Sequence, residues 1–284
     1  MLDQALKSVR EGVAETVAAA LAGVDLPIAE AMRYAVNGGK CLRGFLVMES
    51  ARLHGVAGAM PVAAAIECLH SYSLIHDDLP CMDDDDTRRG QPTVHVKWDE
   101  ATAVLAGDAL QSLAFELIHG AQIPSELRAV LMGSLAKASG VRGMVGGQAL
   151  DIAAETAASP LTLAEITTLQ AGKTGALITW SAMAGPRMTG ADTAPLKTYG
   201  DALGLAFQIA DDVLDVTGDA ATVGKAVGKD ADAGKATFVS LLGLEEAKRR
   251  ASDLVDQACG ALTVYGAEAE TLKEAARFVI TRDK

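Results

Sequence analysis

A chain of 284 residues, half of them hydrophobic and 4% aromatic, is long enough to bury a large core within one domain. Its formal net charge of −12 excludes nucleic acid and anionic membrane as natural partners, so an anionic ligand would need locally gathered cations or a bound metal. Cys41, Cys68, Cys81 and Cys259 show neither the density of a disulfide scaffold nor the pairing of a zinc site, and read as free thiols of a reducing compartment.

In chain order, the N-terminal stretch MLDQALKSVREGV has no cleavable apolar core, so a cytoplasmic location is expected. Helical periodicity predicts helices over 3–22, 26–37 and 42–54. Gly38-Gly39 break the pattern and lead into GGKCLRG, which carries Lys40 and Arg43. A helix over 61–78 falls in the most apolar window, Ala57–Ile75. Pro61, Glu67 and His70 interrupt that window, which makes it a buried core helix rather than a membrane span. Glu67, His70, Ser71, Leu74, Asp77 and Asp78 share one face of it.

The acidic run HDDLPCMDDDD follows at 76–86, and Arg88 and Arg89 come directly after it in a loop over 79–98. Further helices are predicted over 99–119, 125–139, 143–156 and 162–185, the last capped by Thr162 with Glu165 three positions on. The 194–216 helix places Gly204, Gln208, Asp211, Asp212 and Asp215 at i, i+4, i+7, i+8 and i+11, a narrow polar stripe on an otherwise apolar helix. In 217–235, Gly218, Gly224, Gly228 and Gly234 alternate with Lys225, Lys229 and Lys235, a composition suited to a lid over phosphates. Helices over 236–259 and 266–282 close the chain. No stretch reads as a strand, and no linker divides the sequence. The expectation is an all-α single domain over 1–284.

The two polar stripes carry the chemistry. Two unit charges 4 Å apart repel by roughly 4 kcal/mol at an effective dielectric of 20, so clustered carboxylates in apolar surroundings shift their pKa values or recruit cations. All-oxygen donors suit Mg²⁺, which takes one or two carboxylates together with substrate phosphates. A calcium loop is excluded, because Arg88 and Val94 stand where its glycine and bidentate glutamate belong. Lys40, Arg43, Arg88, Arg89 and Lys173 lie where a phosphate could meet that metal. None of the Gly-Lys stretches is a P-loop. The stripes place both aspartate clusters on facing walls of one cavity.

The segment LHSYSLIHDDLPCMDDDDTRRG resembles the first aspartate-rich motif of the trans-isoprenyl diphosphate synthases, and FQIADDVLD resembles their second. GGKCLRG, GGQALD, GKTGAL and TVGKAVGKD are similar to the remaining blocks, in the family's order, over nearly the whole chain. Within the family the likeness is greatest to the bacterial branch that makes the C15 product, farnesyl diphosphate.

The resemblance implies an all-α bundle around a central cavity, a homodimer, and Mg²⁺-dependent head-to-tail condensation of isopentenyl diphosphate with dimethylallyl or geranyl diphosphate. By position, Asp77 and Asp83, with Asp78 nearby, would hold two Mg²⁺, and Asp211, supported by Asp215, the third. Lys40, Arg43, His70 and Arg89 would bind isopentenyl diphosphate. Arg88, Lys173 and Lys225 would contact the allylic diphosphate, and Thr174 and Gln208 would line the site where the allylic cation develops. The Asp84–Asp86 run is expected to be secondary. Cys41 and Gly44 stand where the family usually has a basic residue and proline, a departure expected to loosen the loop without loss of function.

Tyr72 lies five residues before Asp77, about 7.5 Å further along a helix. Its ring could floor the cavity, and Ser73 leaves room beside it. An aromatic there goes with C15 products in the family; a C20 product stays open. A terpene cyclase is a weaker alternative, since it has no need of Lys40, Arg43 and His70. A non-catalytic subunit of a heteromeric synthase would typically lose one aspartate motif, and both are present.

Overall fold

The computed structural model describes residues 2–157, 159–217 and 236–281. The all-α expectation holds, apart from one small hairpin described below. The chain divides into two compact units, Met1–Met132 with Ala184–Gly190, and Gly133–Met183 with Ala191–Lys284.

The first unit starts with α1 (Leu2–Ala20), α2 (Pro27–Val36) and α3 (Leu42–Leu53). They pack around α4 (Met60–Asp77), which buries every residue from Val62 to Leu69. Pro61 sits in the first turn of α4, where its missing N–H costs nothing. Phe45, Leu46, Ile66 and Leu69 are fully buried in this layer. Each such side chain contributes about 1.5–3 kcal/mol relative to exposure.

The loop after α4 contains a structure that the periodicity missed. Strands β1 (Thr87–Arg88) and β2 (Gln91–Pro92) pair antiparallel, Thr87 with Pro92 and Arg88 with Gln91. The two residues between them, Arg89 (φ 54°) and Gly90 (φ 73°), both have positive φ, as a two-residue hairpin loop with the strands' own twist demands. Strands of two residues are too short to show alternation, and Arg-Gly is a weak turn signal.

A short α5 (Val94–Lys97) leads to α6 (Glu100–Gly120), which packs on α2 and α4. Asp99 caps α6 through the Thr102 N–H at 2.6 Å. Among the described residues, α6 is the one helix long and apolar enough to cross a membrane by length and composition. The stretch that qualifies is thus α6 rather than the 57–75 window singled out from the sequence. α6 buries one stripe, Ala103, Ala106, Leu110, Leu113 and Ile118, as a core helix does.

The boundary between the units falls within α7 (Ser125–Ser139). The second unit continues with α8 (Met144–Glu155) and α9 (Leu163–Gln170). The Thr162 cap forms as expected, a capping box with Glu165. The predicted 162–185 helix is interrupted: Ala171–Gly175 form a π-turn before α10 (Ala176–Ala182). π-Turns widen a helix by one residue and occur often at functional sites.

Next, α11 (Ala184–Thr189) belongs to the first unit, where the Gly185 N–H donates to Ser50 Oγ at 3.0 Å. The long α12 (Ala194–Thr217) returns to the second unit and packs on α10 and on Leu244–Ala261. The predicted 236–259 helix is two helices, Phe238–Leu242 and Leu244–Ala261, broken by Gly243 at φ 81°. Ile166, Ile209, Phe238, Ala247 and Ala251 form a core cluster there. Fully buried Trp180 donates to Ser134 at 2.9 Å, and Tyr199 to the Leu272 carbonyl at 2.8 Å.

Glycine decides how closely the second unit's elements meet. A Cβ on Gly147 of α8 would lie 2.0 Å from the Lys173 nitrogen, and one on Gly204 of α12 3.0 Å from Gly175 Cα. The π-turn is therefore clamped between two backbones. Gly147→Ala should destabilise the protein by about 1–3 kcal/mol, because backbone rather than a flexible side chain must move. A thermal melt within 1 °C of wild type would show that the approach is not tight.

Candidate active site

The end of α4 folds back on itself. The Asp83 N–H donates to the Asp77 carbonyl at 2.8 Å, and the Asp84 N–H to the Leu79 carbonyl at 3.2 Å. Asp84 takes a left-handed conformation (φ 51°) to make the turn. One peptide hydrogen bond thus joins the backbones of Asp77 and Asp83, although five residues lie between them in sequence. Asp77 is half-buried and Asp83 exposed. Both offer only carboxylate oxygens, which fits Mg²⁺ held by two carboxylates and completed by phosphate. Among the described residues, no group of three His, Cys, Asp or Glu side chains is arranged to hold a metal.

Asp78 is built differently. It is buried, and the Arg88 side chain meets it in a fork: Nε donates to Oδ1 and Oδ2 at 2.7 and 2.9 Å, and Nη2 lies 2.6 Å from Oδ1. Burial pushes the Asp78 carboxyl above its usual range against the pull of the Arg88 fork, while for Arg88 burial is outweighed by the Asp78 bond and the neighbouring carboxylates, which raise the guanidinium. The hairpin carries Arg88 to that position.

The same hairpin places Arg89 at Gly39, where a Cβ would be 3.0–3.2 Å from the guanidinium. Lys40 follows, exposed, and Arg43 sits half-buried in the first turn of α3. His70 faces this group from α4. Burial, then the charges of Arg43, Arg89 and Arg88, hold its imidazole well below the ordinary value of 6.5, so it is neutral. Cys41, left-handed at φ 51° ahead of α3, is buried, and its thiol is pushed up to about 12 by burial and by Glu67. The first unit therefore brings Arg43, Arg89 and His70 together near Glu67 and sets Arg88 on Asp78, beside the Asp77–Asp83 turn, with Lys40 next to Gly39 in the chain.

One turn before that turn, Tyr72 is 7% exposed and packs edge-on against His76, with ring centroids 5.3 Å apart. Its hydroxyl bonds to Gln111 of α6. The His76 ring lies against Gly107, where a Cβ would come within 2.2 Å of Nε2. Ser73 turns its hydroxyl to the His70 carbonyl at 2.8 Å.

In the second unit, Lys173 and Thr174 lie in the π-turn. Lys173 Nζ donates to Asp151 Oδ2 of α8 at 2.6 Å. Gln208, Asp211 and Asp215 are half-buried on α12, and Gln208 lies one turn beyond the Gly204–Gly175 contact. Asp212 accepts from the Phe238 N–H at 2.6 Å, so this member of the second stripe fixes the start of the next helix. Lys225, with most of the 217–235 loop, lies outside the described residues.

Sequence reasoning left three partners without roles: Glu67, buried beneath the arginines, Gln111 on Tyr72, and Asp151 on Lys173. Glu67 and Asp151 were visible inside motifs. Gln111 had no local signal, because its contact joins two helices.

The chain matches the polyprenyl synthetase family model over residues 26–277. It belongs to that family. It is 46% identical over 273 residues to the farnesyl diphosphate synthase of Escherichia coli, covering 92% of this chain and 91% of that one. The apo structure of an FPP/GFPP synthase from Zymomonas mobilis superposes with a TM-score of 0.89 at 46% identity, covering 98% of both chains. A geranyltransferase from Helicobacter pylori, complexed with magnesium and isoprenyl diphosphate, matches with a TM-score of 0.79 at 35% identity over 96% of each chain.

His70 has a pH consequence. A histidine whose folded pKa is lowered binds its proton more readily when unfolded, so stability is full above about 6.5 and falls as pH drops below it. The melting temperature should decline from pH 7 to pH 5, and His70→Gln should flatten that decline. An unchanged slope in the variant would place the titration elsewhere.

Proposed function

We propose that this chain is a Mg²⁺-dependent prenyltransferase that condenses isopentenyl diphosphate head to tail with dimethylallyl and then geranyl diphosphate, giving farnesyl diphosphate. The observation that carries this reading is the first unit's cluster of Arg43, His70, Arg88 and Arg89 beside the Asp77–Asp83 turn, in a chain of the polyprenyl synthetase family. We read residues 1–284 as one catalytic domain, acting in the cytoplasm as a homodimer.

Asp77 and Asp83, with Asp78 nearby, would hold two Mg²⁺, and Asp211, supported by Asp215, a third. Bound there, the metal would supply charge neutralisation for the diphosphate leaving group. The chain's own residues do the rest. Arg88, Lys173 and Lys225 bind the allylic diphosphate, whose leaving oxygen takes the bonding electron pair. Arg88 is already positioned by Asp78, and Lys173 by Asp151. Thr174 and Gln208 offer oxygen dipoles to the allylic cation without a reactive nucleophile. Lys40, Arg43, His70 and Arg89 hold isopentenyl diphosphate, His70 as a neutral hydrogen-bonding group. The isopentenyl double bond forms the new C–C bond to the cation. A proton is then lost to the released diphosphate, restoring a double bond. An apolar surround excludes water that would otherwise trap the cation.

Product length follows from Tyr72. Its burial against His76 and its bond to Gln111 favour a fixed floor and a C15 product over C20.

Incubation with Mg²⁺, isopentenyl diphosphate and geranyl diphosphate should yield C15 product by chromatography. Asp77→Ala should lower kcat by about a hundredfold or more with the fold retained, and near-normal turnover would sink the metal assignment. Tyr72→Ala should shift the product toward C20 and longer; unchanged C15 from that variant would defeat the floor.

A further inference from the structure

Beneath the arginine cluster lies a carboxylate that the proposed reaction does not use. Glu67 is 4% exposed in the middle of α4. The Gly44 N–H donates to its Oε1 at 2.7 Å. Burial holds the carboxyl above its usual range; the Gly44 N–H, then the charges of Arg43 and Arg89, oppose that rise without cancelling it. Gly44 is packed to match, since a Cβ there would lie 3.2 Å from Glu67 Cγ. A proline, which has no N–H, could not make the Gly44 bond. Gly44 thus lies buried in the first turn of α3 rather than in a loosened loop, and its N–H holds the Glu67 carboxyl.

Each group around Glu67 is accounted for. Arg43 directly precedes Gly44 in the first turn of α3, the Arg89 guanidinium lies against Gly39, and neutral His70 lies one turn along α4. Cys41 stays protonated through burial and Glu67, with the charges of Arg89 and of Arg10 on α1 opposing. A buried carboxylate among guanidinium groups anchors them, because breaking such an arrangement strands a charge. A fork of guanidinium donors binds diphosphate bidentately only if its orientation is set beforehand.

We propose that Glu67 is a positioning residue that orients Arg43 and Arg89 to receive the diphosphate of isopentenyl diphosphate. This rests on the assignment of those arginines to that substrate. Electrostatics alone runs the other way: deleting a negative charge beside an anion site should tighten anion binding. The two effects thus predict opposite signs, and the sign is measurable.

The test is steady-state kinetics on Glu67→Gln, which keeps size and an acceptor for Gly44 but removes the charge. The expected result is a roughly tenfold rise in KM for isopentenyl diphosphate, with KM for geranyl diphosphate and kcat within about twofold. Glu67→Asp keeps the charge and should raise that KM less; if Glu67→Gln fails to fold, an unchanged KM in folded Glu67→Asp overturns the proposal. A lowered or unchanged KM in folded Glu67→Gln also overturns it, as does an equal rise for both substrates. Arg43→Gln, run in parallel, separates the two readings. If it leaves KM for isopentenyl diphosphate unchanged, the site assignment fails. If it raises KM while Glu67→Gln does not, only the positioning role fails.

Discussion

Charge held inside an apolar helical framework must be neutralised where it sits, and the first unit is arranged around that demand. Asp78 is buried and forked by Arg88. Glu67 is buried and bonded by Gly44, with Arg43 and Arg89 acting on it. A lone carboxylate at either position would cost several kcal/mol to bury. The hairpin carries Arg88 to Asp78, the Gly44 N–H meets Glu67, and Gly39 leaves room for the Arg89 guanidinium. The result is positive charge held in fixed positions within a chain of net charge −12.

The second unit solves a different problem, the exact placement of a lysine and a threonine on a helix that is not regular. The π-turn at Ala171–Gly175 is held by close backbone approach to α8 through Gly147 and to α12 through Gly204. Asp151 then ties down the Lys173 ammonium. Glycine serves here through its missing Cβ rather than its backbone freedom. Asp212 shows that neighbours in one motif can differ in duty, since it anchors Phe238–Leu242 while Asp211 and Asp215 stay on the polar stripe.

Asp78 and Arg88 illustrate how a motif residue can act at one remove. Both were assigned from the resemblance to the ligands of metal and diphosphate. Their bidentate bond makes Asp78 the support that sets the Arg88 fork. Tyr72 is similar: the floor proposed for it would depend on Gln111 and on the room that Gly107 leaves for His76.

The sequence by itself determined the all-α class, most helix boundaries, the Thr162 cap and the two acidic stripes. These follow from periodicity and capping, which are local, and the family motifs added the chemistry. It missed the hairpin, the π-turn and the break at Gly243, because two-residue strands and single-residue insertions leave no periodic trace. Only the tertiary structure decided which acid pairs with which base. Asp78 met Arg88 across the loop after α4, and Asp151 met Lys173 and Glu67 met the Gly44 N–H between separate helical elements. Such pairings depend on how closely two backbones pack, and that is set by the three-dimensional fit of side chains and glycines rather than by spacing along the sequence.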